Sequence, residues 1–342
     1  MTREIFLPIE LIGDTAVDFS KKLTRFNFDI EDDVIIYLTN FMKANGRIEP
    51  FGTLMAVNAI RNFRSICSTK GIRCKIKYTK ETFLRNTYAR SLRFFSSLGI
   101  DIGESPTADY TGNADSRFIP IMKSPVKSIK DAYDEYSEIK KIARRISIVA
   151  TNGNQDLYEY VNFCLIEIIR NIVEHSDSRY FWYCAQRWPS PLGGNLVEVA
   201  IMDEGIGIQD SLKEELGDED SKDAIKFALY PGCSSKITTK YLDTADNSGL
   251  GLFMMSEISK ANGDFLLGSK KNFIKLSSTE QEETNSNING TIVRIRFDLS
   301  KLKEYELEIE EIRNRALELT KRYNVYSEKK KYAPGTPLPN LF

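Results

Sequence analysis

The chain has 342 residues, too many for one small core and enough for two domains. Its 47 Lys and Arg balance 48 Asp and Glu, so no global basic field marks it for nucleic acid. With 42% hydrophobic residues and no apolar run of the roughly 18 residues that a membrane span needs, the composition predicts a soluble, cytoplasmic protein with no membrane association.

Five cysteines, Cys67, Cys74, Cys164, Cys184 and Cys233, are scattered without C-x-x-C spacing, and His175 is the only histidine. That inventory does not make a zinc site and reads as reduced thiols. The opening residues, MTREIFLPIELIGDT, hold no long apolar core of the kind that targets a chain for export.

In chain order, DDVIIYLTNF (32–41) is apolar and β-branched and predicts a buried strand. Residues 47–71 begin with Pro50 and Gly52, then place Leu54, Val57, Ile60, Phe63 and Ile66 at helical spacing, with Gly71 as a stop. IRCKIKY (72–78) alternates as a strand, and NTYARSLRFFSSLGI (86–100) predicts an amphipathic helix. This strand–helix–strand–helix rhythm implies a small α/β domain over 1–105. Asp, Ser, Thr, Gly and Pro crowd residues 101–127 and predict a boundary or exposed connection. A helix over 128–150 completes a linker and connecting segment, 106–150, leading into the second domain, 151–300.

That domain begins with a helix (155–176), a hydrophobic strand RYFWYCAQRW (179–188) and the strand of LVEVAIMDEGIGI (196–208). A long polar loop precedes a helix opened by NSGLGLFMMSEISKANG (247–263), and DFLLGS, NFIKLSS and TIVRIRFDL predict three closing strands. The remainder, 301–342, is a charged amphipathic helix followed by a loose terminus. A surface helix packed on its own domain explains such a helix; dimerisation or partner docking is the alternative.

Four motifs carry chemistry. In IEIIRNIVEHSDS (166–178), Glu167 and Asn171 are four residues apart and share one helix face. A carboxylate and a carboxamide among Ile166, Ile169, Ile172 and Val173 need partners, either within the protein or as a bound cation and an activated water. In IMDEGIGI, a strand ends at Asp203, an acceptor able to read an exocyclic amine, and Gly205 and Gly207 let backbone approach a ligand. A plain turn uses the same residues. SGLGLFMMSEIS puts Gly249 and Gly251 before a helix, where free N–H groups suit phosphate oxygens, although it is neither a P-loop nor a G-x-G-x-x-G loop. In NGTIVRIRFDL, Gly290 and Thr291 enter a strand, where a hydroxyl can join Asp203.

In this order, E-x-x-x-N, D-x-G-x-G, G-L-G-L and G-T resemble the GHKL ATPase superfamily over about residues 155–300. That superfamily includes gyrase-type topoisomerases, heat-shock-90 chaperones, sensor histidine kinases and MutL. The resemblance implies a Bergerat-type α/β sandwich, a mixed sheet with helices on one face, that binds ATP and Mg²⁺. It implies that Asn171 coordinates Mg²⁺ and that Glu167 is the general base. It implies that Asp203 accepts from the adenine amine with Thr291 beside it, and that Gly205 and Gly207 make room for the nucleotide. Gly249, Leu250 and Gly251 would lie along the phosphates. Residues 209–248 would form a lid, with Ser234, Ser235, Lys236 and Lys240 as phosphate contacts.

The first domain resembles the STAS fold of anti-sigma-factor antagonists, in its strand, I-E-P-F-G before a helix, K-G-I-R-C-K-I, and a helix ending S-L-G-I-D. That family carries a phosphorylated hydroxyl at the loop entering the helix. Here the loop reads Glu49-Pro50-Phe51-Gly52, and Thr53 is the nearest hydroxyl. Residues 1–174 contain no histidine, which excludes a self-contained histidine kinase. The expected function is therefore a Mg-ATP-dependent ATPase switch that regulates a protein partner, sought among proteins encoded nearby, or a dimer of the chain. The alternatives are a serine/threonine kinase of the anti-sigma type acting on a separate STAS-like protein, and a nucleotide-binding adaptor without turnover.

Overall fold

The computed structural model describes residues 2–29, 33–39, 47–79, 87–100, 117–189, 195–213, 223–231, 250–285, 287–301 and 310–322. The chain is an α/β protein built on two sheets. Strands β1 (Thr2–Phe6), β2 (Asp33–Tyr37) and β3 (Cys74–Lys77) form a parallel three-stranded sheet in the order β1-β2-β3. Ile5, Ile36 and Ile76 lie opposite one another across it. Helices α1 (Gly13–Thr24) and α2 (Pro50–Thr69) pack together and supply its crossovers. Pro50 at the first turn fixes the helical start of α2. Gly52 lets α2 touch the preceding segment, because a Cβ there would stand 2.2 Å from the Leu11 carbonyl oxygen. Neither β1 nor α1 was expected from the sequence. The helix expected over 86–100 is two short turns, Thr87–Ser91 and Phe94–Ser97, broken where Arg93 adopts φ 63°.

The segment expected to be a connection, 101–127, contributes a strand, β4 (Phe118–Pro125), at the edge of the second sheet; residues 101–116 lie outside the described residues. The helix expected over 128–150 is a turn at Val126–Lys130 followed by α3 (Glu135–Thr151), which Asp134 caps by accepting from the Ser137 N–H at 3.0 Å. After Asn152 and Gly153, both at positive φ, Asn154 caps α4 (Gln155–His175) in the same way. Strands β5 (Tyr180–Pro189) and β6 (Asn195–Asp203) follow, then α5 (Gly251–Asn262) and strands β7 (Gly263–Ser269), β8 (Asn272–Ser277), β9 (Gln281–Asn285) and β10 (Thr291–Asp298).

The sheet order is β4-β5-β6-β10-β7-β8-β9, and every neighbouring pair is antiparallel. The expectation of a mixed sheet is thus corrected. Strands β6 and β7 run the same way, but β10 returns between them and opposes both. Within the C-terminal domain the helices do lie on one face of the sheet, and the opposite face is covered from the N-terminal unit. Helices α3, α4 and α5 cover one face, together with Phe181, Tyr183, Val199, Ile201, Val293 and Ile295. Helix α2 covers the other, where Trp182, Cys184, Ala200, Met202, Leu266 and Ile292 join the core of the N-terminal sheet. Strands buried on both faces read as continuous apolar runs, which explains YFWYCA and VEVAIM.

Buried charge links the two sheets. Glu198 on β6 is fully buried, accepts from the Phe51 N–H of α2 at 2.8 Å, and pairs with Arg296 directly across on β10. Arg296 also engages Glu49, at the cap position of α2, while neighbouring Arg294 pairs with Asp264. Burial pushes the Glu198 carboxyl up against the pull of Arg296 and Arg294.

Residues 310–322 form a helix, α6, whose Ile312, Ala316 and Leu319 are buried in the same core as α5, and whose Arg315 pairs with Glu257 at 2.7 Å. It packs on its own domain. No helix among the described residues is long and apolar enough to cross a membrane.

Candidate functional site

A cavity of about 110 Å³ opens between α4, the C-terminal end of β6, the start of β10 and the turn after Gly205. That is several times the ~10–15 Å³ that admits one water. Its walls are largely apolar: Ile168, Ile172, Ile201, Ile208, Leu252 and Leu267 among them. Polar groups cluster at Asn171, His175, Ser176, Asp203, Ser211 and Thr291. An apolar slot with a few convergent polar groups suits a flat ring whose edge carries hydrogen-bonding atoms.

Asp203 is the last residue of β6 and is 2% exposed. Strand alternation puts Met202 against the N-terminal sheet and turns Asp203 to the cavity. Its Oδ1 accepts from the Gly205 N–H at 2.8 Å. Burial raises its carboxyl from 3.8 to about 7, against the lowering effect of hydrogen bonds from Gly205 and Thr291. Gly290, at φ +89°, presses on it: a Cβ there would lie 2.3 Å from the Asp203 carbonyl oxygen and 2.6 Å from Oδ1. Only glycine fits that conformation and that contact.

Gly207, at φ +80°, lines the cavity, while Gly205 works behind it. A Cβ on Gly205 would stand 1.9 Å from the Ser176 carbonyl oxygen, which accepts from the Ile206 N–H at 2.8 Å. This tie fastens the turn to the end of α4. Ser269, at the end of β7, was not singled out in the sequence. Its Oγ accepts from the Ile208 N–H at 2.8 Å, donates to the Gly290 carbonyl at 3.3 Å and lies 3.4 Å from Thr291 Oγ1. A serine closing an apolar strand carries no distinctive sequence signal.

Of the residues expected at the site, Asn171, Asp203, Gly207 and Thr291 line this one cavity although they come from three distant segments. Glu167 does not line it. Its carboxylate is 3% exposed and meets Arg170 Nη2 at 2.5 Å. Gly251 packs directly on it, since a Cβ there would lie 2.4 Å from Glu167 Cβ. Leu250 is the cap residue of α5 and packs on the core; it does not line the cavity. Gly249, Lys236, Ser234, Ser235 and Lys240 lie outside the described residues. Thr53 is fully buried and donates to the Glu49 carbonyl at 2.6 Å, so it is not an accessible acceptor hydroxyl.

Among the described residues, no three His, Cys, Asp or Glu side chains gather to hold a metal ion. A magnesium ion at Asn171 would therefore take most of its ligands from phosphate and water, which is its usual habit. Asp203 brings an acceptor to this cavity, Thr291 a hydroxyl and Asn171 a carboxamide. No protein-family model matches the chain, and neither does any curated protein or solved structure.

Proposed function

We propose that the chain binds Mg-ATP in this cavity as a GHKL-type nucleotide switch, with a Bergerat-type C-terminal domain and a STAS-like N-terminal domain that docks a protein partner or a second copy. One observation carries the reading. Asn171, Asp203, Gly207 and Thr291, picked out by motif order, converge on one largely apolar cavity. Asp203 Oδ atoms would accept from the adenine amine, with Thr291 beside them. Asn171 would hold the cation.

Bound Mg-ATP supplies the γ-phosphoryl group; the protein's task is positioning and charge neutralisation. Glu167 would take the proton of the attacking water, but only after its carboxylate exchanges Arg170 for that water. This requirement favours slow turnover, as befits a switch whose nucleotide states must last. Binding of Mg-ATP biases whichever arrangement it contacts best, and turnover resets it.

The test is a thermal shift with Mg-ATP, followed by incubation with labelled ATP and candidate partner proteins. A rise in midpoint with release of free phosphate supports the switch. Label on a partner's Ser or Thr replaces the switch with a protein kinase, and binding without either product leaves an adaptor. The absence of any ATP-dependent shift refutes the site.

A further inference from the structure

Helix α2 does not line the cavity, but two of its residues hold the loops that do. Asn58, 1% exposed, pairs with both main-chain groups of one residue in the loop before β10: its Nδ2 donates to the Asn289 carbonyl at 3.0 Å and its Oδ1 accepts from the Asn289 N–H at 3.1 Å. The carboxamide thus imitates a neighbouring strand where β10 has not yet begun. One turn along α2, Arg61 grips the Glu204 carboxylate through Nε at 2.9 Å and Nη2 at 3.4 Å, while its guanidinium lies over the Trp182 ring at 5.0 Å. Asn289 Nδ2 closes the ring by donating to the Glu204 carbonyl at 3.3 Å.

Glu204 follows Asp203, and Asn289 precedes Gly290 and Thr291. The two loops held by α2 are therefore the two that present the polar end of the cavity. They are in hard contact, Gly290 against Asp203, so a small shift of either changes the spacing of the carboxylate and the hydroxyl. The bonds fall on main chain and on a bidentate carboxylate, which fixes loop conformation in a way that apolar packing alone does not.

We propose that Asn58 and Arg61 are positioning residues of the nucleotide site: from the opposite face of the sheet they set the geometry with which Asp203 and Thr291 read the base. This rests on the nucleotide reading above. It also makes the N-terminal α/β unit part of the site's construction, so that a load on that unit is felt at the base.

The experiment uses the full chain and measures Mg-ATP and Mg-GTP affinity beside urea unfolding. Asn58→Ala and Arg61→Gln each lower ATP affinity about fivefold or more, the loss expected when a buried bonded pair is broken. Both also lower the ATP-to-GTP ratio, because the amine-reading acceptor is no longer held. Arg61→Lys, which keeps the charge and one bond to Glu204, recovers part of that ratio. Val57→Ala, a buried neighbour on α2 that faces the apolar core, lowers the urea midpoint and leaves the ratio unchanged. A wild-type ratio in Asn58→Ala and Arg61→Gln overturns the proposal, as does an equal change of ratio in Val57→Ala. A wild-type protein that binds neither nucleotide overturns the nucleotide reading, and this proposal with it.

Discussion

Replacing Asp203 with Asn separates binding from stability in opposite directions. The carboxyl is 2% exposed, and burial carries it from 3.8 to about 7. Its folded-state value lies above its unfolded one, so the stability it contributes is complete below pH about 3.8 and is lost as pH rises through about 7. At roughly 1.4 kcal/mol for each tenfold change in proton affinity, the ionised side chain at pH 8.5 costs the folded state about 4 kcal/mol. Asn keeps the shape and the acceptor for the Gly205 N–H and never ionises. Urea unfolding of wild type and Asp203→Asn at pH 5, 7 and 8.5 should therefore show a gap that favours the variant and widens with pH. The same variant should not bind Mg-ATP, because a carboxamide presents a donor where the base amine needs an acceptor. A protein more stable at pH 8.5 yet unable to bind is the signature of a residue kept for its ligand. A variant destabilised equally at all three pH values would refute the reasoning.

Glu167→Gln should bind Mg-ATP as wild type does and lose turnover at least about a hundredfold, the usual worth of a general base, measured as phosphate release. Gly251→Ala should unfold at lower urea by about 1–3 kcal/mol, because the new methyl meets Glu167 Cβ at 2.4 Å with the Cys164 carbonyl close behind. Arg296→Met should cost about 3–5 kcal/mol in urea unfolding, since it strands the Glu49 and Glu198 carboxylates without their shared cation. That loss should shrink on acidification, as protonation relieves Glu198, whose folded-state value is raised.

The polar end of the cavity was legible because its chemistry is local: a strand that stops at an acid, glycines that follow, a hydroxyl that opens a strand. The position of Glu167 was not. Its four-residue spacing from Asn171 fixes a shared helix face, but Arg170 three residues on competes for the same carboxylate within the helix, and the close approach of Gly251 is a tertiary contact that no local pattern records. Strand β4 was hidden in a polar stretch whose apolar part is only Phe118, Ile119, Ile121 and Met122, too few to stand out from a connection. The break at Arg93 has no glycine or proline to announce it. Antiparallel pairing throughout the large sheet was equally out of reach, since strand order depends on where β10 inserts and no local pattern records that.

That insertion governs how the molecule is born. Strands β6 and β7 are both made before β10, and the gap between them is filled only when β10 emerges. At about 5–20 residues per second, the β6 edge stays open for roughly 5–20 s and the β7 edge for a few seconds before β10 is complete, and the cavity is unfinished until then. Chains cut short before Thr291 would keep those edges exposed to other chains. The segment that completes the sheet is the same one that brings Thr291 to Asp203. Competence to bind at this cavity is thus a proofreading mark of a finished fold.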